Sequence, residues 1–463
     1  MGRDVVKATV LPEPELEFHA GTRHIDPRHG ITDYGPADAA SDSPRSIRVG
    51  IVGPPKSIEG VRRWLDSCRR PIAAKPSHLS NLFFAFPGFD LSAGYRSQLV
   101  FDSRLERPIR DRELTSLASL APDVAVRQAV DLYLAELDLL NEEPACDVVL
   151  VARPDHLPEP VRAPGQHMTS TTPDFHALLK AAALRHSRPI QMIRRSTWDP
   201  SFRDPDEQAR SRQDPATSAW NLHTALYYKA GGVPWRLPRA VEDLTACFVG
   251  VSFYRPPDAA DVLQTSVAQV FNQRGDGMIV RGGPARVSRE DRQPHLSDED
   301  ARQLLVDSLK RYRSEHRTMP ARVVLHKSSS YTPQEVDGFR AAADELALDQ
   351  IDLLWIGGAA SPRLFRPGAH PPLRGTLLSV DEKNHSLYTR GSVPFYSTYP
   401  GMYVPVPLAV RIVESELSPD KLCEEVLALT KMNWNQTQLD TRMPITLETA
   451  RRVGNILRCA PPT

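Results

Sequence analysis

The chain has 463 residues, 41% apolar and 25% charged, the balance of a soluble globular protein with two or three domains. Lys plus Arg equals Asp plus Glu at 57 each, so no overall polycation advertises nucleic-acid binding. The even total conceals residues 101–160, with 13 acids against 6 bases, followed by residues 176–240, with 11 bases against 5 acids, as expected of a localised anion site.

Residues 1–45 alternate short apolar pieces with Pro, Asp, Gly and Ser, and read as an arm that is loose or packs onto another domain or a partner. Ser46-Ile-Arg-Val-Gly-Ile-Val-Gly53 predicts a buried strand running into a glycine turn, with an amphipathic helix over 59–69. A helix over 124–140 leads to the strand Cys146-Asp-Val-Val-Leu-Val-Ala152, and a helix over 174–186 to a strand over 189–193. Strands alternating with helices imply a parallel sheet, here an α/β domain over 46–240. Past the Pro-rich turn Gly232-Val-Pro-Trp-Arg-Leu-Pro238 the pattern restarts. Strands are predicted over 246–254, 268–272, 277–280, 321–326 and 351–356, and helices over 298–315, 332–346, 417–429 and 446–457. They form a second α/β domain over 241–463.

Five scattered cysteines without CxxC spacing argue against a disulfide framework and a Cys-based zinc site, and for a reducing, cytoplasmic setting. The opening segment lacks the apolar core of a signal peptide, and no run of 18 apolar residues occurs, so no membrane span is expected.

The basic segment holds the first chemistry. Thr171-Thr-Pro-Asp174 is a plausible helix start with Pro in the first turn, and on that helix His176 and Lys180 stand four apart and share a face. Gln191 follows a short turn later, and Lys229 ends a helix over 221–228 just before Gly231-Gly232. Two cations, a Gln and a helix terminus can hold a phosphate by charge-assisted hydrogen bonds. A solvated helix face, plus a basic residue near a helix C-terminus, accounts for the same spacing. The Gly50-Ile-Val-Gly53 turn lacks the third glycine and downstream acid of a dinucleotide site, and reads as a tight strand-to-helix turn. In the second domain the strand ends carry Ser252 and Ser328 rather than the acids that two-metal cleavage needs. His326 beside Ser328 suggests a hydrolase, but no GxSxG elbow supports one.

Trp220-Asn-Leu-His-Thr-Ala-Leu-Tyr-Tyr-Lys-Ala-Gly-Gly-Val-Pro-Trp-Arg-Leu237 resembles the junction between MID and PIWI domains in prokaryotic Argonautes. Four further blocks follow in that family's order: Cys247-Phe-Val-Gly-Val-Ser-Phe-Tyr254, Val323-Val-Leu-His-Lys-Ser328, Leu429-Thr-Lys-Met-Asn-Trp434 and the segment 444–457. The resemblance covers residues 46–463. It implies a Rossmann-like MID domain over 46–240 and an RNase H-like PIWI domain over 241–463, without the N-terminal and PAZ domains of long Argonautes.

In the family a Tyr or His, a Lys one turn later, a Gln and a Lys before Gly-Gly hold the 5′-phosphate of a guide. The resemblance gives those roles to His176, Lys180, Gln191 and Lys229. Relatives also place a divalent cation, Mg2+ for example, beside this phosphate, at times on the C-terminal carboxylate; the tail Cys459-Ala-Pro-Pro-Thr463 is a poor fit for that ligand. Cleaving relatives carry four PIWI acids, the last place being His or Asp. By block alignment Ser252, Ser328 and Arg451 stand at three of these places, and Gly275-Asp-Gly277 lies in the region of the fourth. The resemblance thus implies a chain that binds nucleic acid and does not cut it. It also implies a heterodimer with an APAZ-containing effector protein, TIR-like, sirtuin-like or a nuclease. In that setting a small guide, RNA by expectation, pairs with invading single-stranded DNA, phage or plasmid, and the partner depletes NAD in abortive infection. An active guide-dependent nuclease and a nucleotide-binding metabolic enzyme are the alternatives.

Overall fold

The computed structural model describes the chain except residues 1–6, 40–42, 78–79, 156, 158–173, 204–212, 240–243, 256–262, 273–276, 281, 359–361, 397–398, 400, 402–403, 440 and 460–463. The expected strand Ser46–Gly53 forms with its last five residues buried, and Val148–Ala152 is buried throughout. Apolar runs of this kind suit strands covered on both faces, as parallel strands are. These two pair in parallel, and Ile190–Ile193 adds to the far side of Val148–Ala152. The fourth strand, Gln98–Pro108, pairs in parallel with Ser46–Gly53 from the other side. It escapes a pattern search because charged residues interrupt it and only Leu99 and Leu105 are buried. The four-stranded order, with helices Pro55–Ser67 and Pro122–Glu142 as crossovers, is the Rossmann-like layout. Gly53 ends its strand because the chain passes so close to Ala152 that an added Cβ would lie 2.8 Å from the Ala152 Cβ.

The second sheet is built around Ala246–Tyr254, whose first seven residues are buried. Arg322–Lys327 pairs with it in parallel, and Gln350–Gly357 pairs in parallel with Arg322–Lys327. On the other side Leu263–Asn272 is antiparallel, and Gly277–Val280 is antiparallel to that in turn. Three antiparallel strands followed by two parallel ones, with the first in the centre, make the RNase H-like arrangement. The strands Leu408–Glu414, Asn384–Leu387 and Thr376–Ser379 extend it beyond Gln350–Gly357. Thr376–Ser379 and Asn384–Leu387 are four residues each and mixed in composition, too little to stand out as sequence.

Lys7–Val10 pairs with Thr376–Ser379 and completes that end of the sheet. Behind it Leu11, Leu16, Phe18 and Ile31 are buried in the core, so the described part of the arm is packed rather than loose. Glu13 is anchored by ion pairs to Arg374 at 3.0 Å and to Lys431. One apolar cluster runs from Leu16 and Phe18 through Trp220 and Trp235 to Leu422 and Trp434, joining both sheets. In the Pro-rich turn Trp235 is fully buried and its indole donates to the Lys431 carbonyl at 3.0 Å. Burial of that much aromatic surface fixes the turn as a packed joint. Among the described residues no helix is long and apolar enough to cross a membrane.

Candidate functional site

Three elements bring the four predicted phosphate ligands together. Helix Phe175–Ala182 opens at Asp174, whose carboxylate accepts from the His176 backbone N–H at 3.0 Å. Pro173, read as part of the first turn, lies outside the described residues. This helix aligns His176 and Lys180 on one face, four residues apart. Gln191 lies on strand Ile190–Ile193, next to Val148–Ala152. Lys229 is the last residue of Pro215–Lys229, a helix with ten buried residues running through the core.

The Lys229 ammonium donates to the Gln191 side-chain oxygen at 2.5 Å and to the Ile190 carbonyl at 2.9 Å. Gln191 donates its own amide to the Met192 carbonyl at 3.1 Å. Burial pushes the Lys229 pKa down to about 7, and the Lys180 charge adds to that. Lys180 is lowered as well, by burial first and then by Arg452. Surrounding protein, reinforced by the Lys180, Arg194 and Lys229 charges, holds the exposed His176 ring down at about 4, so it is neutral near pH 7. The lysines face neighbouring cations in the fold, and Asp174 is the carboxylate whose charge acts on His176 and Lys180. A site of this kind gains most from an anion that accepts several hydrogen bonds.

Sequence reading missed part of this surround. Helix Ile445–Leu457, from the far end of the chain, packs on Phe175–Ala182 and brings Arg452 into electrostatic range of Lys180 and Tyr228. Arg452 itself pairs with Glu448 at 3.1 Å. Lys229 lies 5.8 Å from the centre of the Tyr228 ring, whose hydroxyl donates to Asn435 at 2.9 Å. Tyr228 was legible as a neighbour of Lys229, whereas Arg452 is brought there only by the tertiary fold.

At the second sheet Ser252 is buried on the central strand, and the Ser328 backbone donates to the Val251 carbonyl at 3.1 Å. The two serines therefore stand beside one another at the C-terminal ends of parallel strands. Arg451 is exposed on the helix that crosses over them. Gly275 and Asp276 lie outside the described residues. His326 is no catalytic partner for Ser328: it is fully buried, its Nδ1 is 2.9 Å from the Thr446 hydroxyl, and burial pushes its pKa down to about 3. It is a core histidine.

A Piwi domain family model matches residues 168–460, well over half of the chain. The chain belongs to the Piwi family. Its match begins ahead of helix Phe175–Ala182 and runs through the last described helix, so the four candidate residues, Ser252, Ser328 and Arg451 all lie within it. A curated relative, the argonaute protein of Aquifex aeolicus, is 23% identical over 238 residues, which is 51% of this chain and 31% of that protein. Among solved structures the Piwi chain resembles Clostridium butyricum Argonaute bound to a guide DNA and a 19-mer target DNA, at TM-score 0.67 and 13% identity. That likeness covers 98% of this chain and 53% of the other. Drosophila Piwi gives TM-score 0.59 at 15% identity, over 97% of this chain and 54% of the other. The chain thus spans about a third of the curated relative and about half of these structures, and the structural likeness is one of fold.

Proposed function

We propose that the chain is a guide-directed nucleic-acid sensor of a prokaryotic defence system. His176, Lys180, Gln191 and Lys229 hold the 5′-phosphate of a small guide RNA, which pairs with invading single-stranded DNA. The observation that carries this reading is the convergence of those four side chains from three separate elements, with the Lys229 ammonium held by Gln191. Lys180 and Lys229 neutralise the phosphate, Gln191 sets the Lys229 head in place, and the neutral, exposed His176 ring stacks on the first base or donates to an oxygen. Base pairing then supplies sequence specificity while the protein reads backbone and guide end.

The reading gives the chain no cleavage. Two hydroxyls and a guanidinium, at Ser252, Ser328 and Arg451, do not hold a pair of divalent cations. Output passes to an APAZ-containing effector subunit, which degrades NAD and halts the infected cell. Target binding favours one arrangement of the heterodimer over another, as such coupling requires. Nor do the four phosphate-site residues fit a Mg2+ ion by themselves. Two ammonium groups, an imidazole and an amide whose oxygen is committed to Lys229 are a receptor for an anion, and hard cations take oxygen ligands. The C-terminal carboxylate lies outside the described residues, and among those described no cluster of three or more His, Cys, Asp or Glu could hold a metal.

The test is to purify the chain with its neighbouring gene product and sequence what is bound. Short RNAs bearing a 5′-phosphate are expected. A bound nicotinamide or other small cofactor, with no nucleic acid, would return the chain to the nucleotide-binding enzymes.

A further inference from the structure

A second cavity opens in the first domain, and none of the four phosphate-site residues lines it. It holds about 370 Å³ beyond the C-terminal ends of strands Ser46–Gly53 and Val148–Ala152, within the range of small-molecule sites. The chain leaves Ser46–Gly53 for Gln98–Pro108 on one side, and Val148–Ala152 for Ile190–Ile193 on the other. The gap between the two strand ends is therefore where the winding of the sheet reverses, the place at which open parallel sheets bind ligands. The turns after the two strands supply Pro54 and Pro154 to the walls, and Leu114 and Trp198 add apolar surface. Trp198 packs on helix Pro55–Ser67 at Gly60, where an added Cβ would lie 2.2 Å from the indole.

The polar groups of this cavity fall into two sets. Arg195 is committed: its Nε donates to Asp199 at 2.9 Å and its Nη1 to Asp155 at 2.8 Å. Ser57, Lys56 and Asp111 are not. The Ser57 side chain is 8% exposed, yet its hydroxyl meets no hydrogen-bond partner among the described residues. Lys56 and Asp111 stand exposed at the rim, and neither is in an ion pair among those residues. A hydroxyl so shielded gains from a ligand that bonds it. Two cations against three carboxylates leave one negative charge in excess, which disfavours a polyphosphate and favours a ligand rich in hydrogen-bond donors. Carboxylates accept from sugar hydroxyls and ring amino groups, and apolar walls suit the faces of a flat ring. We propose that this cavity binds a nucleoside, its ring against Trp198 and its sugar hydroxyls on Asp111 and Ser57. Lys56 is placed to take at most one 5′-phosphate. The site is distinct from the phosphate pocket: the Arg194 charge acts on His176, whereas Arg195, next in sequence, lines the cavity.

The test titrates the full chain with adenosine, guanosine, cytidine and uridine by isothermal calorimetry. At least one nucleoside should bind, at one site per chain. The rim variant Asp111→Asn should weaken it about tenfold, the equivalent of one charged hydrogen bond, and Ser57→Ala should weaken it too. The variant Lys180→Ala/Lys229→Ala should bind nucleoside as wild type does, and so should chain saturated with a 5′-phosphorylated guide. The 5′-monophosphates are titrated into that lysine variant, where the phosphate pocket no longer competes. There Lys56→Ala should abolish the gain from the phosphate and leave the nucleoside unchanged. No heat from the four nucleosides up to millimolar concentration overturns the proposal. So does binding indifferent to both Asp111→Asn and Ser57→Ala. Nucleoside displaced by the guide, or lost with the two lysines, belongs to the phosphate pocket and overturns it as well. The proposal is independent of guide binding, and a chain that meets these criteria without retaining a guide supports it equally.

Discussion

Lys229 and Gln191 lie on different elements, 38 residues apart in sequence, and meet at 2.5 Å between ammonium and amide oxygen. This contact makes Gln191 a positioner: it replaces part of the water that Lys229 loses on burial and fixes where its charge points. Converting both lysines to Ala should weaken a 5′-phosphorylated guide far more than a 5′-hydroxyl one. Each lost charged contact is worth on the order of 1–3 kcal/mol. Equal losses for the two guides, measured by competition binding, would place the phosphate elsewhere.

The depressed Lys229 pKa, at about 7, predicts a pH dependence. The free pocket is largely protonated at Lys229 below that value and loses the proton above it, whereas bound phosphate holds the proton on. Preference for 5′-phosphate should therefore fall as pH rises from 7 to 9, by at least about tenfold. Lys229→Arg keeps its charge throughout and should flatten the curve. A wild-type preference that is level over this range would remove Lys229 from phosphate contact.

On the proposed reading, with hydroxyls rather than acids side by side at Ser252 and Ser328, the guide-loaded chain should leave a matched target intact with Mg2+ or Mn2+. Denaturing electrophoresis decides it. A product band dependent on both guide and divalent cation would restore the nuclease reading.

Glu13 is a stability test of the arm. Burial opposes its ionisation, but the Arg374 and Lys431 charges prevail and hold its pKa below the ordinary value. Glu13→Gln leaves both cations without their carboxylate, at a cost of about 3–5 kcal/mol in denaturant unfolding near pH 7. Because the folded pKa is depressed, the carboxylate stabilises fully above its unfolded pKa, and this is lost as pH falls through the folded value. The gap between wild type and variant should close in acid. A gap that is constant down to low pH would mean the loss is one of packing.

Gly250 lies on the central strand under the start of the last helix, where an added Cβ would fall 2.3 Å from the Thr446 carbonyl oxygen. Gly250→Ala must push away the helix that carries Arg451 and Arg452. A lower melting temperature is expected together with weaker guide binding. If affinity held while the melting temperature dropped, Arg452 would be excluded from the pocket's field.

The sequence alone determined the central strands, because residues buried on both faces must form unbroken apolar runs. Ala246–Tyr254, at the centre of the second sheet, has the bounds the pattern predicts. Resemblance to the family's pocket pattern likewise picks out His176, Lys180, Gln191 and Lys229, which the fold brings together. A strand such as Gln98–Pro108, with charged residues through it, left no such trace, since pairing with a neighbour, not composition, makes it a strand. Tertiary structure alone decided that Lys7–Val10 closes an edge of the second sheet. It also decided that Arg452 faces Lys180. Charge interactions depend on distance through the fold and on the burial around them, and neither quantity is written in the spacing of residues along a chain.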